Sequence, residues 1–106
     1  MFARSVSIRL KPNGHEEFCR VIEKETIPLL RTLKGFQDEI ALLAPGGGQA
    51  VEITLWDRKE DAEAYGRRGS SKLLKALANV IQGDSEVRIY TVLNSTFHKI
   101  AAPVLA

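Results

Sequence analysis

The sequence predicts an α+β domain with the ferredoxin-like element order β-α-β-β-α-β. Three observations carry this: strand-like segments that alternate with period two, two longer segments with apolar residues at helical spacing, and a glycine-rich turn between the second and third strands. Two strand-helix-strand units joined by a hairpin give a four-stranded antiparallel sheet with both helices on one face. A length of 106 residues suits one domain, taken as 1–106 with a tail from 98.

The first strand is residues 3–10, where Val6, Ile8 and Leu10 alternate with Ser5, Ser7 and Arg9. Lys11-Pro12-Asn13-Gly14 breaks it, and Asn13 with Glu16 forms a candidate capping box. The first helix then runs to about Leu33, with Phe18, Val21, Ile22, Leu29 and Leu33 on one stripe. Pro28 should kink it and Gly35 should cap it. Residues 36–44 read as strand two, Pro45 to Gln49 as a hairpin loop, and residues 50–56 as strand three. Asp57, with Glu60 three residues on, is placed to cap a second helix. That helix should break at Gly66-Arg67-Arg68-Gly69, restart at Ser70 or Ser71, and end at Gly83-Asp84. Residues 86–97 read as a long fourth strand.

The sheet should own one apolar row per strand: Val6/Ile8/Leu10, Val51/Ile53/Leu55, and Val87/Ile89 with Leu93. The opposite rows are Ser5/Ser7/Arg9, Glu52/Thr54/Trp56 and Arg88/Tyr90/Val92. Alternation places Trp56, Tyr90 and Val92 on the face away from the helices, which is too apolar for water. A second copy would cover it, so a homodimer is expected.

Composition excludes several classes. Apolar residues make up 44% and charged residues 26%, ordinary for a folded domain. The net charge of +2 comes from 15 basic and 13 acidic residues, interleaved, so no nucleic-acid surface is expected. Arg67, Arg68, Lys72 and Lys75 read as a solvated helix face. Cys19 is the only cysteine, which rules out an internal disulfide. Arg4 and Arg9 interrupt the first apolar stretch, and no window reaches the ~20 apolar residues of a membrane helix, so a soluble cytoplasmic protein with no membrane partner is expected.

Few residues look chemical. Gly46-Gly47-Gly48 lies between strands with no helix N-terminus after it, so it reads as a hairpin and not a phosphate loop. His15 and Cys19 share a helix face, but two ligands do not make a metal site. No metal and no cofactor are predicted. Glu25 falls at the centre of the first helix's apolar stripe and should face the sheet, where an unpaired carboxylate costs several kcal/mol. It is kept for catalysis, neutralised by a structural pair with an arginine or a tyrosine hydroxyl, or left at a rim position exposed by the Pro28 kink. On the second helix, sheet-facing positions Ala62, Tyr65, Gly66 and Gly69 are mostly small, which leaves either close packing or a pocket beside Trp56 and Tyr65.

The run Leu55-Trp56-Asp57-Arg58-Lys59-Glu60-Asp61-Ala62-Glu63-Ala64-Tyr65 resembles the signature of antibiotic biosynthesis monooxygenase-type domains. Pro28-Leu29-Leu30-Arg31-Thr32-Leu33-Lys34-Gly35-Phe36 fits the same family, and the resemblance spans about residues 3–97. It implies a dimeric α+β barrel and a pocket between sheet and helices lined by Trp56. This puts Trp56 on the helix side, against the alternation argument. The family's polar residues are largely replaced. An asparagine four residues before the tryptophan is Glu52, a tyrosine six after it is Ala62, and a later arginine is Ala76. The axial histidine of the haem-degrading branch is Lys75. RNA-recognition domains need aromatics on the central strands, and iron-sulfur domains need several cysteines; neither is present.

The leading expectation is a cofactor-independent, monooxygenase-like enzyme for a small aromatic or quinol. Trp56 would stack on it, Tyr65 would orient it, and Glu25 or Glu52 would take its proton. The alternatives are a non-catalytic ligand-binding or stress-response dimer, and an assembly domain docking through the apolar tail at 100–106.

Overall fold

A computed structural model describes residues 1–101; the tail residues 102–106 lie outside them. The elements are β1 (Phe2–Arg9), α1 (residues 15–30), β2 (Phe36–Leu43), β3 (Gln49–Trp56), α2 (residues 59–76) and β4 (Glu86–Thr91). All strand pairs are antiparallel, in the order β2-β3-β1-β4. The expected four-stranded ferredoxin-like sheet with two helices on one face is what forms.

Both helices are continuous, and each contains a π-helical turn. In α1 the turn is Ile22–Thr26, between α-helical His15–Val21 and Ile27–Leu30. Pro28 is the second residue after it. In a regular helix its ring would strike the carbonyl of Lys24, and hydrogen bonding five residues back moves that carbonyl away. The extra residue in the turn also rotates the C-terminal part of the helix. Inward positions are Phe18, Val21, Ile22, Thr26 and Leu30, all buried. Glu25 is therefore thrown out to solvent, 3.9 Å from Arg20, which corrects its expected place on the sheet-facing stripe.

In α2, Gly66–Ser70 forms a π-helical turn with no break and no serine cap. The predicted N-caps do not form either. Asn13 adopts φ 65°, and Gly14 stands at the N-cap of α1. Asp57 instead accepts a hydrogen bond from the Gln37 side chain at 2.7 Å, across a bulge in β2. Gly35 has φ 78°, the left-handed conformation expected of a helix-ending glycine.

β4 stops at Thr91, well short of 97, because Thr91 already pairs with Phe2 at the start of β1. Beyond Val92, whose N–H donates to the Met1 carbonyl, β4 has no neighbour to bond. Ser95 Oγ then accepts from the Phe97 and His98 amides, which turns the chain. His98 reaches the carboxylate of Asp38 on β2, so the segment crosses the whole sheet.

The register of β1 with β3 decides the faces. Phe2 pairs with Trp56, Arg4 with Thr54, Val6 with Glu52 and Ile8 with Ala50. Paired residues share a face, so Glu52, Thr54 and Trp56 lie with Val6 and Ile8 beneath the helices. All three are buried. β3 thus faces the opposite way from that expected by alternation, and the way the family resemblance implies. The outer face instead carries Val51, Ile53 and Leu55, with Ile40, Leu42 and Tyr90 from the flanking strands. The interior divides into two apolar clusters. One joins Val6, Ile8, Leu10, Phe18, Val21 and Leu77, and the other joins Leu30, Trp56, Ala62 and Tyr65. No helix among the described residues is long and apolar enough to cross a membrane.

Candidate functional site

Polar side chains sit between the sheet and α2, beside Trp56 and Tyr65. Glu52, on central β3, is 2% exposed. The Tyr65 hydroxyl donates to it, 2.9 Å from Oε1 and 3.2 Å from Oε2. Burial pushes the Glu52 carboxyl up to about 7, against the opposing effect of that hydrogen bond. Tyr65 is itself pushed up, by burial and then by the Glu52 charge, so it remains a phenol and a donor.

Arg4 enters the same layer from β1. It is 6% exposed, and its guanidinium lies over the Tyr65 ring, 5.5 Å from the centroid. Among the described residues no carboxylate oxygen lies within 4.0 Å of it, and its NH1 has no hydrogen-bond partner. A buried guanidinium with a free N–H is costly, and such groups concentrate at functional sites. Glu39, across from Thr54 on β2, approaches Glu52; burial raises its pKa, and a side-chain hydrogen bond with Glu52 opposes the rise. Trp56 Nε1 donates to Thr54 Oγ1 at 2.8 Å, which fixes the indole.

The aromatic rings complete the arrangement. Tyr65 lies against Trp56 with centroids 5.3 Å apart and planes tilted by 31°, and Phe36 meets the indole edge-on. A recess of about 210 Å³ opens beside this pair, lined by Leu33, Lys34, Trp56, Asp61, Tyr65 and Arg68 among others. The small residues of α2 leave the space anticipated, but the chain fills most of it. Gly66 lies over Arg4, within 3.0–3.3 Å of the guanidinium measured from where a Cβ would stand. Gly69 lies over the Tyr65 ring, which occupies the place its Cβ would take.

The structure thus brings Glu52, Trp56 and Tyr65 together and leaves Glu25 out. Glu25 borders a shallow crevice between the helices with Val21, Thr26, Leu29 and Lys72, and is exposed. Arg4 and Glu39 were not singled out from the sequence. Arg4 has the same parity as Val6, Ile8 and Leu10, and extending that row two residues back would have placed it inside. Among the described residues no cluster of three His, Cys, Asp or Glu could hold a metal.

The sequence matches no protein-family model and no curated protein. Solved structures do match. A monooxygenase from the gene ActVA-Orf6 of Streptomyces coelicolor, in complex with nanaomycin D, superposes with a TM-score of 0.75 at 16% identity over 92% of each chain. The fold is that of the antibiotic biosynthesis monooxygenases. A structure described simply as an antibiotic biosynthesis monooxygenase gives a TM-score of 0.70 at 12% identity, covering 89% of this chain and 100% of the other. SnoaB, a cofactor-independent oxygenase from Streptomyces nogalater, gives 0.70 at 17% identity, covering 92% and 97%. At these identities the antibiotic biosynthesis monooxygenase likeness is one of fold, and the chemistry has to be argued from the residues.

Proposed function

We propose that this chain is a cofactor-independent, monooxygenase-like enzyme for a small hydroxy-aromatic or quinol, working as a cytoplasmic homodimer. One observation carries the reading: a buried carboxylate, Glu52, held near neutrality at the hydrogen-bonding end of an aromatic stack. A base with its pKa near the working pH combines availability with strength. Glu52 takes a proton from the bound ligand, and burial, which disfavours the charged carboxylate, favours that uptake. The carbanion or phenolate that remains is electron-rich enough to reduce oxygen directly. For a methylene between aromatic rings the balance is CH2 + O2 → C=O + H2O, the substrate supplying the electrons and oxygen leaving partly as water. Trp56 stacks the ring. Glu25 has no part in this site.

Glu52→Gln keeps the shape and removes the base. With a quinol or anthrone and an oxygen electrode, oxygen uptake falls by about 10²- to 10⁴-fold. Undiminished uptake in the variant ends the proposal. A second reading, a non-catalytic ligand-binding or stress-response dimer, is favoured by the size of the recess. At about 210 Å³ it is smaller than the roughly 300–1,000 Å³ usual for ligand pockets. Ligand-dependent change in Trp56 fluorescence without oxygen uptake would support it.

The homodimer is supported by the outer sheet face. Ile40, Leu42 and Tyr90 are 41%, 47% and 51% exposed there, next to half-buried Val51 and Ile53. Exposed apolar side chains grouped on one sheet face mark an interaction surface.

A further inference from the structure

Tyr65 is a hydroxylated aromatic ring held as such a ligand would be held. Its face lies on Trp56, the Arg4 cation lies over it, and its hydroxyl donates to Glu52. The recess lined by Trp56 and Tyr65 adjoins it, with Lys34 and Arg68 among its walls. We propose that Tyr65 is a displaceable plug in a binding site for a hydroxylated aromatic ring, which on entry takes over the Trp56 stack and the Glu52 hydrogen bond. This deepens the function proposed above and rests on its placing of the ligand beside Trp56.

Two features say that the position is built for exchange. First, the site has polar capacity that Tyr65 does not use. Arg4 NH1 has no acceptor, although it is buried. A phenol has one oxygen, and Tyr65 spends it on Glu52. A catechol-type ligand has a second oxygen to accept from Arg4. Second, the backbone beside Tyr65 is adjustable. The π-helical turn begins at the next residue and contains Gly66 and Gly69. Gly69 is what lets the ring lie inward at all, since a Cβ there would overlap it. Lys34 and Arg68, with Asp61 beside them, favour an electron-rich ring at the entrance.

The test uses the full chain, catechol, phenol and anisole under nitrogen. The chain has two tyrosines, and Tyr90 lies on the opposite face of the sheet from Tyr65, so ring-labelled tyrosine gives an NMR probe with an internal reference. Catechol should move the Tyr65 ring signals from stacked to solvent-exposed positions and leave Tyr90 unchanged. Affinity, read from the single tryptophan, should fall in the order catechol, phenol, anisole. Gly69→Ala crowds the plug without enlarging the interior and should tighten catechol binding by about tenfold, as should Tyr65→Ala, the plug now removed. Catechol binding with Tyr65 signals unmoved overturns the proposal. So does the absence of binding in wild type and in Gly69→Ala, each checked for its native fold by circular dichroism; should neither variant fold, the wild-type Tyr65 signals alone decide. Equal affinity for phenol and anisole also overturns it, because the site would then be only an apolar hole. Tyr65 displacement without oxygen uptake on aeration leaves this site standing and removes the monooxygenase reading. Uptake with Tyr65 fixed does the reverse.

Discussion

Glu52 and Arg4 are where the cost of this site is concentrated. A carboxyl raised from the ordinary 4.5 to about 7 binds more protons in the folded than in the unfolded chain between those values. Its contribution to stability is fully present below about pH 4.5 and is lost as pH rises through about 7. The difference amounts to about 3 kcal/mol. Thermal melts should therefore fall as pH rises from 5 to 8, and Glu52→Gln should flatten that slope. An unchanged slope would mean that Glu52 does not titrate in this range. Of these two residues, the sequence offered Glu52 by its spacing from Trp56. Arg4 escaped because a single charge beside an apolar row ordinarily reads as a strand end. Glu25 misled for a related reason, since helical spacing is counted at 3.6 residues per turn and the π-helical turn upstream of Pro28 breaks that count.

At the level of elements, the glycines divide by what surrounds them. Gly35 and Gly46 both hold positive φ, at 78° and 95°. Around Gly46 a Cβ meets nothing within 4 Å, whereas at Gly35 it runs into the Asp61 side chain. Gly46→Ala should cost about 1–2 kcal/mol, from backbone conformation alone. Gly35→Ala should cost clearly more, because Asp61 must also move out of a buried position at the start of α2. Chemical denaturation of the two variants gives the comparison, and equal losses would refute it. Strands and helices were legible from periodicity because that signal averages over many residues. Caps were not, because a cap is one hydrogen bond, and tertiary partners such as Gln37 can claim the capping side chain.

For the whole molecule, element order and sheet composition could be read from the sequence, but the facing of β3 could not. One row is Val51/Ile53/Leu55; the other, Ala50/Glu52/Thr54/Trp56, is half apolar and holds the one tryptophan, so alternation alone does not fix which row faces inward. The pairing with β1, some fifty positions earlier, selects one. That choice places the polar cluster under α2 and leaves aliphatic residues outside. For the proposed homodimer, Leu42→Lys with Ile53→Lys should yield a monomer by light scattering while the Trp56 environment, read by fluorescence, stays intact. A dimer that survives both changes would have to use another surface.

The strand order has a consequence for how the chain comes together. β1 lies inside the sheet, yet its two neighbours are among the later strands, with Phe2 meeting both Trp56 and Thr91. During synthesis Val6, Ile8 and Leu10 emerge long before β3, and β1 keeps an open edge until β4 arrives. Folding is thereby tied to contacts distant in sequence, which slows it and exposes an apolar strand in the interval. The ordered layer beneath α2 forms only after that delay, so a nascent chain of this fold is a natural client for a chaperone that shields extended apolar segments.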